Sequence, residues 1–235
     1  MIRLGVTGTD TGVGKTVVSC ALVAALVRRG LRVTAMKPIE TGVSPDDRSR
    51  DGARLSLAAS DRRPLSATAP ITFPHPAAPV VAAQRAGKDV DLELLDAAVQ
   101  RASAGYDVLL VEGAGGLLVP ITRRVAYDGL FARWALDLLI VAANQLGVIN
   151  HVRLTLAAAR TAGLRVRGVV LNRVTGTVPD SSVDDNAQVL SELERVPIVE
   201  LPWMSAAHDL DQAAAVAERS GLVDLIATPT MSKTV

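Results

Sequence analysis

A glycine-rich stretch, Gly8-Thr9-Asp10-Thr11-Gly12-Val13-Gly14-Lys15-Thr16, lies between a short apolar run and a helical stretch. No other feature constrains the fold of this chain as much. Ile2–Thr7 is brief, mostly apolar and stopped by Gly8, as a buried strand is. Lys15–Arg29 reads as a helix, with Gly30 as its C-terminal stop. A strand, a glycine turn and a helix start together let backbone N–H groups converge on phosphate oxygens, aided by the positive end of the helix. In such a loop Lys15 reaches the β- and γ-phosphates and the Thr16 hydroxyl binds Mg²⁺. The usual spacing is G-x-x-x-x-G-K-[ST]; here Gly8 stands one residue further from Gly14, and Thr9 fills the usual glycine place. The bland alternative is a glycine-rich turn with a surface lysine. The strand before and the helix after disfavour it.

The rest of the chain repeats the alternation. Further strands are expected at Leu31–Lys37, Asp107–Glu112, Leu138–Ala143, Val166–Asn172 and Ile198–Leu201. Helices are expected at Leu92–Ser103, Asp128–Ala135, Asn150–Ala162, Asp184–Leu193 and Asp209–Ser220, the last stopped by Gly221. Strands separated by helices imply βαβ units and a parallel sheet covered on both faces. Gly42–Pro64 reads as a loop plus a short helix. Ala69–Pro79, with Pro70, Pro74, Pro76 and Pro79, is expected to be irregular. Both look like insertions above a sheet edge, where sites are built. Ala227–Val235 is expected to fray. With no internal repeat or dividing linker, residues 1–235 are expected to form one domain.

Composition excludes other classes. Lys+Arg number 25 against 24 Asp+Glu, so a net charge of +1 gives no electrostatic case for nucleic acid or a membrane surface. Six aromatics, Trp134, Trp203, Tyr106, Tyr127, Phe73 and Phe131, cannot furnish base-stacking platforms as well as a core. The core must be aliphatic. The lone Cys20 excludes an intramolecular disulfide and a Cys-rich zinc site, and no stretch has the length of a spanning helix. A reducing, cytoplasmic setting is the expectation.

Ligands of parallel sheets lie beyond the C-terminal strand ends, so the residues there carry the most weight. Lys37 ends the second strand, and Pro38 fixes the exit. A solvated lysine is an equal alternative until its place after the phosphate loop is considered. Glu112 ends the third strand, before Gly113-Ala114-Gly115-Gly116. A carboxylate beside a nucleotide holds Mg²⁺ directly or through water; capping the following turn is the rival role. Asp51 is one of several loop acids with Asp46 and Asp47, and spacing alone favours a solvated charge. Asn172 offers donor and acceptor to an adenine edge, or forms a turn. His75, His151 and His208 have neither metal-ligand nor triad spacing.

Together these motifs are similar to those of the dethiobiotin synthetases of biotin biosynthesis. The likeness lies in Gly8–Thr16, in Lys37-Pro38-Ile39-Glu40-Thr41-Gly42 and in Val111-Glu112-Gly113-Ala114-Gly115-Gly116. Leu146-Gly147-Val148-Ile149-Asn150-His151 and Glu200-Leu201-Pro202-Trp203 extend it over nearly the whole chain. The lengthened loop is that family's own form. The resemblance implies an α/β fold, a mostly parallel sheet with helices on both faces in a P-loop NTPase-like three-layer sandwich. It implies ATP-dependent insertion of CO₂ (or bicarbonate) between the amines of 7,8-diaminopelargonic acid, with ATP as substrate and Mg²⁺ as cofactor. Lys37 and Lys15 are then catalytic. Gly12, Val13, Gly14, Lys15, Thr16, Val17, Asp51, Glu112, Gly113, Ala114 and Gly115 surround the phosphates. Asn172, Arg173, Pro202, Trp203, Met204 and Asp209 lie on the nucleoside side. Thr16, Asp51 and Glu112 hold the metal. Thr11, Lys37 and Thr41 meet the diamine. Gly147, Val148, Ile149 and Asn150 come from the other subunit of a homodimer to hold the substrate carboxylate.

Three rivals are weaker. Partitioning ATPases share the loop but carry an early lysine where this chain has Asp10. A nucleotide-binding scaffold without turnover has no need of Lys37. An amide-forming ligase of cofactor synthesis would bring a glutaminase domain, for which one cysteine in a helix does not suffice.

Overall fold

The computed structural model describes residues 1–44, 46–47, 49–60, 63–175, 181, 183–204 and 209–227. Along the chain run β1 (Ile2–Gly8), α1 (Lys15–Arg28), β2 (Val33–Met36), β3 (Ile39–Thr41), α2 (Asp51–Ala58), α3 (Leu65–Thr68), β4 (Ile71–Phe73), α4 (Pro79–Arg85) and α5 (Leu92–Ser103). Then follow β5 (Val108–Gly116), α6 (Tyr127–Arg133), β6 (Asp137–Ala143), α7 (Val148–Thr161), β7 (Val166–Asn172), α8 (Val183–Leu193), β8 (Ile198–Leu201), α9 (Leu210–Arg219) and α10 (Asp224–Ala227).

Six strands form one sheet in the order β2-β5-β1-β6-β7-β8, and each ladder in it is parallel. Its strands are the six expected from sequence. They are apolar at both parities because both faces are covered. Leu109 and Val111 of β5 face one core with Leu138, Ile140, Val169 and Leu171. Val108 and Leu110 face the other with Leu4, Val6, Leu139 and Val141. Helices α5, α6 and α7 pack on the first side; α1, α2 and α9 pack on the second. The result is the three-layer α/β sandwich.

Helix α1 is buried nearly all round, from Val18 through Leu26. It lies against the sheet and is flanked by α2 and α9. Each fully buried leucine or valine of this kind contributes about 1.5–3 kcal/mol. The helix that presents the glycine loop is therefore anchored by much of one core.

Several boundaries differ from expectation for local reasons. Strand β5 continues past Glu112 to Gly116, pairing Gly8 with Gly116 after a register shift, so Glu112 is inside the strand rather than at its end. Strand β2 stops at Met36, because the Lys37 amide donates to Thr68 O at 2.9 Å and leads the chain off the sheet. Ala69–Pro79 is not wholly irregular. Ile71–Phe73 forms β4, paired in parallel with β3, and Pro79 opens α4 at a position where its missing N–H costs nothing. Helix α7 starts at Val148, ahead of the expected Asn150, because Gly147 supplies a left-handed N-cap. Residues 228–235 of the tail expected to fray lie outside the described residues, as does His208.

Candidate active site

Strand order brings three distant segments together. β5 lies between β2 and β1, so Glu112 sits between the exit of β2 and the glycine loop. The Thr16 hydroxyl donates to Glu112 Oε1 at 2.8 Å. Lys37 Nζ donates to the same oxygen at 2.7 Å and to Asp51 Oδ2 at 2.7 Å. Glu112 is completely buried and Lys37 is 5% exposed, whereas the Asp51 side chain is 39% exposed. Lys37 thus bridges an interior carboxylate and one at the lip.

The loop is shaped for an anion. Gly14 is the N-cap of α1 with φ 88°, and neither a side-chain cap nor a first-turn acid occupies the helix start. Those amides and the helix dipole remain available. A Cβ on residue 14 would stand 2.1 Å from Asn172 Nδ2, so glycine is needed for packing as well as for φ. Lys15 folds back over the loop, donating to Asp10 O at 3.1 Å.

A cleft of about 410 Å³ is lined by Thr11, Gly12, Gly14, Lys15, Thr16, Val17, Lys37, Thr41, Asp51, Ala114 and Gly115. These eleven expected site residues therefore converge. Glu112 lies beneath them, Gly113 packs on the Tyr127 and Phe131 rings, and Val13 turns into the core. The others lie elsewhere. Asn172 Nδ2 donates to Val13 O at 3.0 Å and so braces the loop; among the described residues its Oδ1 has no partner. Arg173 is exposed and its amide donates to Leu201 O. Pro202 and Trp203 are exposed, and Met204 is half-buried. Asp209 caps α9 by accepting from the Asp211 and Gln212 amides. Gly147–Asn150 begin α7 and do not line the cleft. A larger hollow of about 590 Å³, between α4 and residues 121–124, contains none of these residues.

Four lining residues escaped the sequence reading: Glu40, Val43, Arg50 and Arg54. Glu40 stands in the quoted Lys37–Gly42 motif, three residues after the lysine. Arg50 adjoins Asp51. Those positions were the available signals.

Electrostatics separate the two lysines. Burial lowers the Lys15 pKa to about 8, with help from neighbouring Lys37. Burial would lower Lys37 too, but the Glu112 and Asp51 carboxylates overturn this and hold it above the usual lysine range. For Asp51 burial acts upward, and Lys37 overrides it to keep the acid below its usual range. Burial raises Glu40. One prediction concerns Lys15. Its ammonium binds phosphate and its neutral amine does not, so metal-free ATP affinity is flat below the pKa and falls above it, approaching about tenfold per pH unit. Calorimetric titration from acidic to alkaline pH checks this. Affinity that holds steady or improves on the alkaline side contradicts it.

The donor set suits Mg²⁺. Glu112 Oε2 is buried and, among the described residues, has no hydrogen-bond partner. A magnesium ion takes one or two carboxylates together with substrate phosphates and water. Thr16, Asp51 and Glu112 provide that complement at the mouth of a phosphate loop. Among the described residues there is no cluster of three or more His, Cys, Asp or Glu.

A parallel sheet, an uncapped glycine loop and a lysine–threonine pair at the helix start define a P-loop nucleotide-binding protein. A family profile described as an AAA domain matches residues 3–209. The chain is 46% identical over 204 residues to the ATP-dependent dethiobiotin synthetase BioD of Anaeromyxobacter dehalogenans (strain 2CP-1 / ATCC BAA-258), covering 86% of this chain and 91% of that protein. It is 38% identical over 225 residues to the same-named protein of Aquifex aeolicus (strain VF5), covering 96% and 97%. The chain belongs to the ATP-dependent dethiobiotin synthetase family. Among solved structures it is similar to a chain of the MinC:MinD cell division protein complex of Aquifex aeolicus, with TM-score 0.54, 18% identity and coverage of 100% and 98%. A ParA family ATPase from Chlorobium tepidum TLS gives TM-score 0.53 at 17% identity, covering 96% and 97%. At such identity these two speak for the fold alone.

Proposed function

We propose that this cleft closes the ureido ring of dethiobiotin, with residues 1–235 acting as one ligase unit. The observation that carries the reading is Lys37 Nζ, buried and charged at the edge of the glycine-loop cleft. A binder needs no such cation beside the phosphate-transfer position. A reaction that joins two anions does.

One amine of 7,8-diaminopelargonic acid adds to CO₂, forming an N–C bond and losing a proton. The carbamate oxygen then attacks the γ-phosphorus of ATP, breaking the bond to ADP and giving a carbamic–phosphoric anhydride. The second amine attacks the carbonyl carbon. Phosphate leaves with the C–O electron pair, the amine loses its proton and the ring closes. Lys37 holds the carbamate and offsets its charge. Lys15 and the amides of Gly12–Thr16 hold the phosphates, and Thr11 and Thr41 contact the diamine. Thr16, Asp51 and Glu112 would hold Mg²⁺, which when bound would add positive charge beside the transferring phosphate.

On the nucleoside side, Asn172 already touches the loop at Val13, and Trp203 offers an exposed ring beside Pro202 and Met204. Arg173 follows Asn172 toward the same segment. Asp209 already caps α9, so its nucleotide contact falls to the second carboxylate oxygen. For Gly147–Asn150 we adopt a homodimer in which this helix start completes the partner's cleft. Support comes from its open N-terminus and from Leu146, which is 78% exposed beside it. No helix among the described residues is long and apolar enough to cross a membrane. We place the enzyme in the cytoplasm, where its one thiol, Cys20, pushed up to about 12 by burial, stays inert.

The test is mass spectrometry of the product from diamine, bicarbonate and MgATP. The expected product is dethiobiotin, with ATP consumed only when both other substrates are present. Equal ATP turnover without the diamine would sink the reading.

A further inference from the structure

One carboxylate grips both neighbours of Asp51. Glu40 lies in β3. Its Oε1 accepts a hydrogen bond from the Gly52 amide at 2.9 Å, and its Oε2 is 3.0 Å from Arg50 Nη1 in an ion pair whose angles do not make a hydrogen bond. Glu40 is 3% and Arg50 5% exposed, so the contact is shielded from water. Arg50 is the N-cap of α2 but supplies no side-chain cap, and Asp51 and Gly52 are the first helical residues. An uncapped start leaves amides without partners. Glu40 fills one of them from another strand. Glycine at 52 makes this possible, since a Cβ there would stand 2.9 Å from Glu40 Oε2 and 2.9 Å from Ala69 Cβ.

Stability alone is a poor reason for such a pair, because apolar replacements of both partners are often neutral or better. What Glu40 supplies is direction, through its hydrogen bond from the Gly52 amide, while Arg50 balances its charge. Asp51 has a half-open side chain, held within the cleft by Lys37 and by the Thr16 hydroxyl. In the proposed reaction that lysine turns to the carbamate. The grip on residues 50 and 52 does not depend on it.

We propose that Glu40 is a positioning residue that aims the Asp51 carboxylate at the metal position by fixing Arg50 and Gly52 on either side of it. The inference rests on Asp51 being a metal ligand. Removing Glu40 alone would strand a buried guanidinium, so the test uses two charge-balanced double variants. E40Q/R50M keeps an acceptor for the Gly52 amide; E40A/R50M removes it. Melting curves establish that each is folded. Calorimetry then gives ATP affinity with and without Mg²⁺. In E40A/R50M metal-free ATP binding matches that of E40Q/R50M, and the gain from Mg²⁺ falls by about 10–100-fold, as for loss of an outer-sphere partner. E40Q/R50M retains the larger part of that gain. If D51N loses the Mg²⁺ gain while E40A/R50M keeps it, Glu40 does not position Asp51, though Asp51 remains a ligand. Should D51N keep the gain, the ligand reading fails and this inference falls with it. A folded E40A/R50M that binds both forms of ATP equally poorly would mean general collapse of the cleft, which also overturns the proposal.

Discussion

Lys37→Ala should make product about a hundred- to a thousandfold more slowly while still binding ATP. Lys37 contacts two carboxylates and none of the loop amides that cradle phosphate, so its loss falls on the acceptor side of the transfer. Losing one preorganised cation from a transition state that gathers charge costs about a hundred- to a thousandfold in rate. The same change leaves Glu112 fully buried, with the Thr16 hydroxyl still donating to it. Breaking a buried pair from one side destabilises by about 3–5 kcal/mol, so the metal-free variant should also melt earlier. MgATP should restore much of that loss, since Mg²⁺ takes the place of the missing charge. Product assays, calorimetry and melting curves with and without MgATP read the three parts separately. A near-normal rate would remove Lys37 from the mechanism.

Glu112→Gln should uncouple ATP binding from magnesium. The amide keeps an acceptor for the Thr16 hydroxyl but has no charge for a cation. The Mg²⁺ gain should fall by at least the about 10–100-fold that loss of an outer-sphere partner brings. A second effect has a definite sign. The Lys37 pKa is lowered by burial and raised chiefly by Glu112, then by Asp51. Without the Glu112 charge it drops. Residual activity should then decline at lower pH than in the parent, as Lys15 and Lys37, both raised by the Glu112 charge, lose their protons earlier. An unchanged alkaline profile together with an intact magnesium effect would show that Glu112 does neither task.

The sequence reading succeeded where one segment carries its own signal. The six strands of the main sheet were visible because a strand covered on both faces must be apolar throughout. The glycine loop was visible because a phosphate nest needs glycines at fixed spacing before a helix. The small β3–β4 pair was not. Ile71–Phe73 is three residues long and set among prolines, and its pairing partner lies about thirty residues away. Asp51 shows the same limit from another side. Among three loop acids nothing local distinguished it; what singles it out is Lys37, which ends another segment and reaches it at 2.7 Å. Glu40 carries no local signal either, since its partners Arg50 and Gly52 stand ten or more positions away in the chain.

Strand order has a consequence for how the cleft comes into being. β1 and β2 follow each other in the chain yet never pair, because β5 is inserted between them. The first hundred residues hold both lysines, the whole glycine loop and Asp51, but they leave a strand-wide gap in the sheet. Only the arrival of residues 108–116 fills it and delivers the carboxylate that Thr16 and Lys37 share. Closing loops of 96 and 75 residues is a long-range event that local structure cannot anticipate. Without β5, therefore, Thr16 and Lys37 lack the carboxylate they share, and the strand that makes the sheet continuous is the one that completes the cleft.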